Sequence, residues 1–471
     1  MSEEKNFEKD VLNIKYNITK KGFKVRLNNK NYFVKYPLFI WQNFPKKIKK
    51  ILVENFVFLT TFTLPMLLNK KKAYFTMNSP LLGSFFIKPI LYYIPSSADE
   101  YNRDSFSLLK RFINSTYDFK SYNVHFLNYD PKVNYRSVHL FTFGKDSLLS
   151  YCLAEELKLN PVLLYIEEPD TAYKIDGKIV RTYENKHKDI LIKKFTQEFK
   201  KPIYKIKHQL SLTREAKHLE IDEPELPYGS QLTEYALLTI PFNHYFKAKY
   251  MIYGNEASCS STYINKEGII TNPVYDQSGE WVVEISKVLK ILTKKMSAIS
   301  LIEPIHELAI TKILHSRYQK QAKYQMSCMA ANNNAKNTRW CHNCSKCARM
   351  YVFLSALKIN PEIVDFKESM FKKEKMPFFS LFGKPDNALP YDLAGVGRDE
   401  MMLAFYLAYK NGAKGFIINE FKKRFLKEAE QRKNELYKEF FGIHKTITIP
   451  NRMKKKLLQI YKEEIEKIKL F

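Results

Sequence analysis

The chain has 471 residues, 45% of them hydrophobic and 14% aromatic; this excludes wholesale disorder and is too long for one ordinary core, so two or three domains are expected. Its formal net charge of +28 leaves three readings open: an anionic partner such as RNA, DNA or an acidic membrane surface, an anionic ligand such as a nucleotide, or a Lys-rich bias spread along the chain. The start, "MSEEKNFEKDVLNIKY", is charged without an apolar core, so a cytoplasmic chain is expected, in which the six cysteines serve metal binding or catalysis rather than disulfides.

Residues 10–40 alternate in short β-like runs, and "FKVRLNNKNYFVKY" reads as a hairpin turning at Asn-Asn-Lys-Asn. Residues 40–120 mix apolar runs with Pro65, Pro80, Pro89 and Pro95 and predict no particular topology. The uncharged run Asn55–Leu68 is too short to span a bilayer and contains Pro65, so a buried segment without stable membrane insertion is expected. From residue 136 the pattern becomes strand, helix, strand: "SVHLFTF", "DSLLSYCLAEELKL", "PVLLYIEE", "YENKHKDILIKKFTQEF", "KPIYKIKH", "EYALLTIPFNHYF" and "KYMIYGNEA". The last hundred or so residues read as helices, ending in "NRMKKKLLQIYKEEIEKIKLF" with alternating charge.

This order predicts an α/β fold with a parallel sheet of about five strands and helices on both faces. An N-terminal α+β accessory domain is expected over residues 1–130, the sheet domain over 131–360 and a mostly helical extension over 361–471. Ligands on such sheets sit at the carboxyl ends of strands. Those ends carry Gly144–Ser147, Glu167–Glu168 and Gly254–Glu256.

The turn Thr142-Phe143-Gly144-Lys145-Asp146-Ser147 opens a helix, where backbone N–H groups and the helix dipole favour an anion. Gly144 permits close approach, Thr142 and Ser147 add hydroxyls, and Lys145 adds charge. The G-x-x-x-x-G-K-[ST] phosphate loop is absent, and a plain turn with Asp146 as helix cap stays open. Downstream, Cys328, Cys341, Cys344 and Cys347 have the spacing C-x12-C-x2-C-x2-C. Four thiolates at this spacing fit a closed tetrahedral zinc site. An iron–sulfur cluster, a redox pair or His342 in place of one cysteine stay open. Cys152 reads as core and Cys259 as a weaker site candidate.

The turn resembles the loop of the PP-loop (N-type ATP pyrophosphatase) superfamily, Ser-Gly-Gly-x-Asp-Ser after the first strand, with Thr142 for the first Ser and Phe143 for the first Gly. The cysteine pattern resembles that of a branch of it, the 7-cyano-7-deazaguanine synthases, which carry Ser-Cys, a spacer and Cys-x2-Cys-x2-Cys before a helix. "EPIHELAITKIL", with Lys312, and "YENKHKDIL" also resemble segments of that branch, and the likeness covers about residues 136–358. It departs where Ser230-Gln231 replaces Arg-Asn and in "GNEASCSSTY", positions expected to read the deazaguanine substrate.

The resemblance implies an adenine nucleotide alpha hydrolase-like domain that binds ATP and forms AMP and PPi by adenylating a small or nucleotide-linked carboxylate. The implied ATP residues are Thr142, Phe143, Gly144, Lys145, Asp146 and Ser147, with Lys145, Asp146 and Ser147 in catalysis. Glu167, Gly254, Asn255 and Glu256 are expected beside them, orienting ATP or holding Mg2+, and the four cysteines are expected to hold structural Zn2+. The second half-reaction stays open: ammonia addition, epimerisation as in the larger PP-loop epimerase of a UDP-muramoyl dipeptide glutamate, or thiolation of tRNA. A non-catalytic nucleotide- or RNA-binding protein is the rival, and a homodimer is also left open.

Other segments carry weaker signals. "PVYDQSGEW" offers Asp276, Gln277 and Glu280, or a helix start capped by Ser278. His187 and His306 read as structural. "YDLAGVGRDE", with Gly395, Gly397, Arg398 and Asp399, is a clamp or a helix-start loop, and "KTITIPNRMKKK" is an RNA contact or a solvated helix end.

Overall fold

The computed structural model of the chain describes residues 10–125, 129–175, 178–224, 226–383 and 396–467. A three-strand antiparallel meander comes first: β1 (Val11–Thr19), β2 (Gly22–Leu27) and β3 (Lys30–Lys35). Leu27 pairs with Lys30, leaving Asn28-Asn29 as a two-residue turn, and Asn28 takes φ +47°, a value Asn tolerates better than most residues. Helix α1 (Lys46–Thr61) follows, then β4 (Lys72–Asn78) and β5 (Thr116–Ser121), which add to β1 in parallel.

The chain then alternates: β6 (Asn134–Leu140), α2 (Lys145–Glu156), β7 (Val162–Glu167), the small ribbon β8 (Ala172–Ile175) and β9 (Lys178–Arg181), α3 (Glu184–Phe199) and β10 (Ile203–His208). Next come α4 (Gln231–Tyr245), β11 (Ala248–Tyr253), a second ribbon of β12 (Tyr263–Ile264) and β13 (Ile270–Thr271), α5 (Gly279–Thr293) and β14 (Ser297–Ser300). Five strands, in the order β14-β11-β6-β7-β10, run parallel.

They form half of a ten-stranded sheet. β3 joins β10 antiparallel through Lys35↔Lys207 and Val34↔His208, so β3-β2-β1-β4-β5 extend the same sheet. The N-terminal strands, expected in a domain apart, are therefore part of one large, mostly parallel sheet. Alternation of apolar residues marks a strand but does not say which edge it joins.

Both faces of the parallel half are covered, so central β7 is buried from Val162 to Ile166 and β11 from Tyr250 to Tyr253. On β11, Tyr250 and Ile252 enter one core while Met251 and Tyr253 enter the other. The first core also takes side chains of α2, α3, α6 (Glu307–Arg317), α7 (Ser345–Ala356), and the C-terminal helices α8 (Val396–Lys410), α9 (Phe416–Arg424), α10 (Leu426–Phe440) and α11 (Asn451–Ile465). The second takes α1, α4 and α5. The helical stretch Lys46–Leu67 is long and apolar enough to cross a membrane, but 94% of its most apolar window is buried inside the fold.

β6 is the topological switch. The chain runs from β6 to β7 and β10 on one side, then crosses to β11 and β14 on the other. The crevice between the carboxyl ends of β6 and β11 is where sheets of this kind accept ligands.

Candidate functional site

The turn Thr142–Ser147 lies at that crevice. Phe143 adopts φ +62°, a left-handed conformation that costs a non-glycine residue about 1–2 kcal/mol. Its side chain is fully buried, 4.8 Å from the Phe141 ring and 5.7 Å from the Phe195 ring between centroids. Core packing thus holds the strained backbone, and the ring fills the core instead of the mouth of the turn. Gly144 is the N-cap of α2. The Thr142 N–H donates to Ser147 Oγ at 3.2 Å, and Ser147 Oγ donates to the Gly144 carbonyl at 3.1 Å. The N–H groups of Lys145, Asp146 and Ser147 open the helix, where no intrahelical carbonyl reaches them.

Across the crevice, β11 ends at Gly254. A Cβ there would lie 3.1 Å from Asp146 Cβ and 3.4 Å from Ser147 N. The next residue, Asn255, is buried and its Nδ2 has no hydrogen-bond partner among the described residues. Glu256, also buried, accepts the Ser258 N–H at 2.7 Å.

Three residues that the sequence reading did not single out complete the site. Lys145 is buried, with Nζ 2.9 Å from Asp146 Oδ1 and 2.6 Å from Glu307 Oε1. Arg349 of α7 lies 3.2 Å from Glu307 Oε2, and Glu400 of α8 accepts the Leu308 N–H at 2.8 Å. Burial opposes the charge on Lys145, but Asp146 and Glu307 outweigh it and raise its pKa above the usual lysine range. Burial also opposes the charge on Glu307, yet Lys145 and Arg349 hold its carboxyl below the usual value. Burial, with Glu307 next, pushes Glu256 up to about 8. Burial raises Asp146 too, and Glu400 rises through burial and then through Glu307 and Glu256. Four carboxylates thus face two cations, an arrangement with affinity for further positive charge.

The turn is bonded to the segment leading into the cysteines. Met326 N–H donates to the Phe143 carbonyl at 2.8 Å. Lys188 Nζ, buried on α3, donates to the carbonyls of Thr142 and Met326. Two residues beyond Met326, Cys328 joins Cys341, Cys344 and Cys347, whose sulfurs all lie within 4.8 Å of one another. The Sγ pairs Cys341–Cys347 and Cys328–Cys344 are 3.7 and 4.0 Å apart, close to the ~3.8 Å expected for tetrahedral Zn–S bonds of ~2.3 Å. Backbone N–H groups of Ala330, Cys341, Asn343 and Cys347 point at sulfurs of the set, which suits thiolate ligands. The four cysteines could hold a metal ion such as zinc. His342 is outside the set; its Nε2 accepts the Lys367 N–H at 3.2 Å.

Other predicted residues lie elsewhere. Glu167 pairs with Lys205 and Lys207 of β10 rather than with the turn. Its neighbour Glu168 pairs with Arg214, which also binds Glu234. Ser230 immediately precedes α4 without a side-chain capping bond, and the Gln231 amide donates to Tyr235 OH at 3.0 Å. Cys259 reaches the crevice, 3.6 Å from Glu256 Oε1, while Cys152 lies in the core. His187 bonds the Ala335 carbonyl. Ser278 caps α5, Asp276 accepts the Leu232 N–H, and Glu280 pairs with Lys88. The "HEL" start of α6 contributes Glu307 to the crevice, whereas Lys312 is only half-buried along the same helix. Arg398 and Asp399 pair with Glu428 and Arg432 within the C-terminal helices, and Gly395 lies outside the described residues. Thr446 and Thr448 are buried against the Glu303 carboxylate rather than solvated.

No family model matches the chain, and no curated protein or solved structure matches it either.

Proposed function

We propose that this chain is a PP-loop-type enzyme that uses ATP to adenylate a carboxylate, forming AMP and PPi. The carrying observation is the meeting, at the β6/β11 switch, of the helix-opening turn Thr142–Ser147 with Gly254, which has no side chain to obstruct it. Helix-start N–H groups with the Thr142 and Ser147 hydroxyls suit a pyrophosphate. Asn255 Nδ2, without a hydrogen-bond partner among the described residues, offers a further donor.

The surplus of carboxylates fits a divalent cation between protein and phosphates. Asp146, Glu256 and Glu307 would hold Mg2+, which supplies charge neutralisation and polarises the phosphoryl oxygens. In the reaction, a carboxylate oxygen bonds to the α-phosphorus as the bond to the β-phosphate oxygen breaks and PPi leaves. The donors of Thr142–Ser147 stabilise the charge that PPi carries away. Lys145 is ion-paired to Asp146 and Glu307, which fixes its position at the turn. The cysteine set, as structural Zn2+, anchors the segment bonded to Phe143 and Lys188.

A second reading, epimerisation beside the activated carboxyl, is favoured by Glu256, which in that case leaves the cation to Asp146 and Glu307. Burial raises its pKa to about 8, which suits proton transfer near neutral pH. Thiolation is disfavoured, because burial pushes Cys152 and Cys259 well above the usual thiol range and keeps both as thiols. PPi release with panels of amino acids, UDP-linked peptides, deazapurine carboxylates with ammonia, and tRNA separates these routes. Asp146→Ala should abolish release with zinc content unchanged; survival of the activity would displace the site.

A further inference from the structure

We propose a second metal site, formed by His306, Glu439 and His444, that takes a borderline divalent ion, Zn2+ above all. It shares no residue with the four cysteines and does not depend on the ATP reading.

The three residues come from two distant segments. His306 precedes α6, Glu439 lies near the end of α10, and His444 follows that helix. One ligand atom from each lies within 4.8 Å of the other two. His306 Nε2 and Glu439 Oε1 are 3.3 Å apart, about the spacing of two ligands bound ~2.0–2.1 Å from a tetrahedral zinc. His444 Nε2 is 3.9 Å from the same oxygen, and the two imidazoles meet edge to face with centroids 4.7 Å apart; this nitrogen donates to the Glu439 carbonyl at 2.9 Å, a bond and a proton that the ion would replace.

The backbone sets this arrangement. His444 N–H donates to the Pro304 carbonyl at 2.8 Å. Two residues on, Glu303 accepts Thr446 Oγ1 and the N–H groups of Ile447 and Thr448. The segment that carries His444 is thus fastened to residues 303–304, immediately before His306. A metal-bound imidazole has its other ring nitrogen held by a hydrogen bond; His306 Nδ1 is 2.8 Å from Ser258 Oγ, its Nε2 faces Glu439, and the ring packs on Phe440.

The donor set selects the ion. Two imidazoles and one carboxylate suit Zn2+ and its neighbours, whereas Mg2+ and Ca2+ prefer oxygen alone. His306 is buried, while Glu439 has 54% and His444 31% of its side chain exposed. The site opens to solvent on that side, leaving room for water as a fourth ligand. His306 Nδ1 also lies 3.9 Å from Glu256 Oε2, so a bound ion would join the C-terminal helices to the rim of the crevice.

The test is zinc stoichiometry. Full-length chain is saturated with Zn2+, desalted and assayed for bound zinc and for reactive thiols. The wild type should hold two ions per chain, matching the two residue groups. His444→Ala and, separately, Glu439→Gln should each hold one, with the cysteines still protected from thiol reagents. Glu439 is largely exposed, so its variant guards against misfolding as the cause. One ion in the wild type, or two in both variants, overturns the proposal.

Discussion

The N–H of Met326 donates to the carbonyl of Phe143 at 2.8 Å, and Cys328 follows two residues later. The turn Thr142–Ser147 and the cysteine set are therefore one mechanical unit, with Lys188 as its second fastening. Chelating the metal should lower hydrogen-exchange protection across residues 142–147 before the sheet itself opens. Lys188→Met should have the same effect with the metal in place, and should cost about 1–3 kcal/mol because two carbonyls lose their donor. Loop protection unchanged by either treatment would show that the two parts are independent.

Phe143 provides a test with an unusual sign. Truncating a buried Phe costs about 3–5 kcal/mol, so both Phe143→Ala and Phe143→Gly should destabilise the fold. At most positions Gly is the worse of the two. Here φ is +62°, so the glycine variant should be the more stable by about 1 kcal/mol. Chemical denaturation of both variants measures the order; alanine ranking above glycine would mean the turn is not left-handed at this residue.

Gly254 admits no larger residue without movement. The methyl of Gly254→Ala would press on Asp146 Cβ at 3.1 Å. The first turn of α2 would have to give way, at a cost of about 1–3 kcal/mol, and ATP affinity should fall at least severalfold. Calorimetry of ATP binding by the two chains checks this, and equal affinities would place the nucleotide away from Gly254.

Glu256 should make stability depend on pH. Its folded pKa, pushed to about 8 by burial and by Glu307, lies above the usual value of 4.5. Between those values the folded chain keeps a proton that the unfolded chain has lost, so this group's contribution falls as pH rises from about 4.5 to about 8 and is level beyond. Glu256→Gln resembles the protonated form and should flatten that part of the profile for the chain without nucleotide or Mg2+. A wild-type profile identical to that of the variant would place the Glu256 pKa in the ordinary range.

Local signals made part of this molecule legible. The alternation from residue 136 onward marks β6, β7, β10 and β11, the turn at Gly144 marks the crevice, and the spacing of Cys328, Cys341, Cys344 and Cys347 marks a set that could hold a metal; β14, four residues long, goes unread. What stayed hidden depends on pairing over distance. β3 meets β10 through two residue pairs only, and neither strand carries a mark of the other. Glu307, Arg349 and Glu400 read as ordinary helix residues, and only the fold brings them to Lys145. Glu167 and Glu168 are adjacent acids at a strand end, yet one answers to β10 lysines and the other to Arg214. Side-chain direction alternates along a strand, and an Arg some 46 residues away cannot be read from it.

The most direct test of the central claim is ATP binding in the presence of Mg2+. Titration calorimetry on the zinc-loaded chain should give one ATP per chain, dependent on Mg2+ and lost in Asp146→Ala, whose zinc content matches the wild type. No ATP binding by the wild type, or the same affinity in Asp146→Ala, would contradict a nucleotide held by the turn Thr142–Ser147.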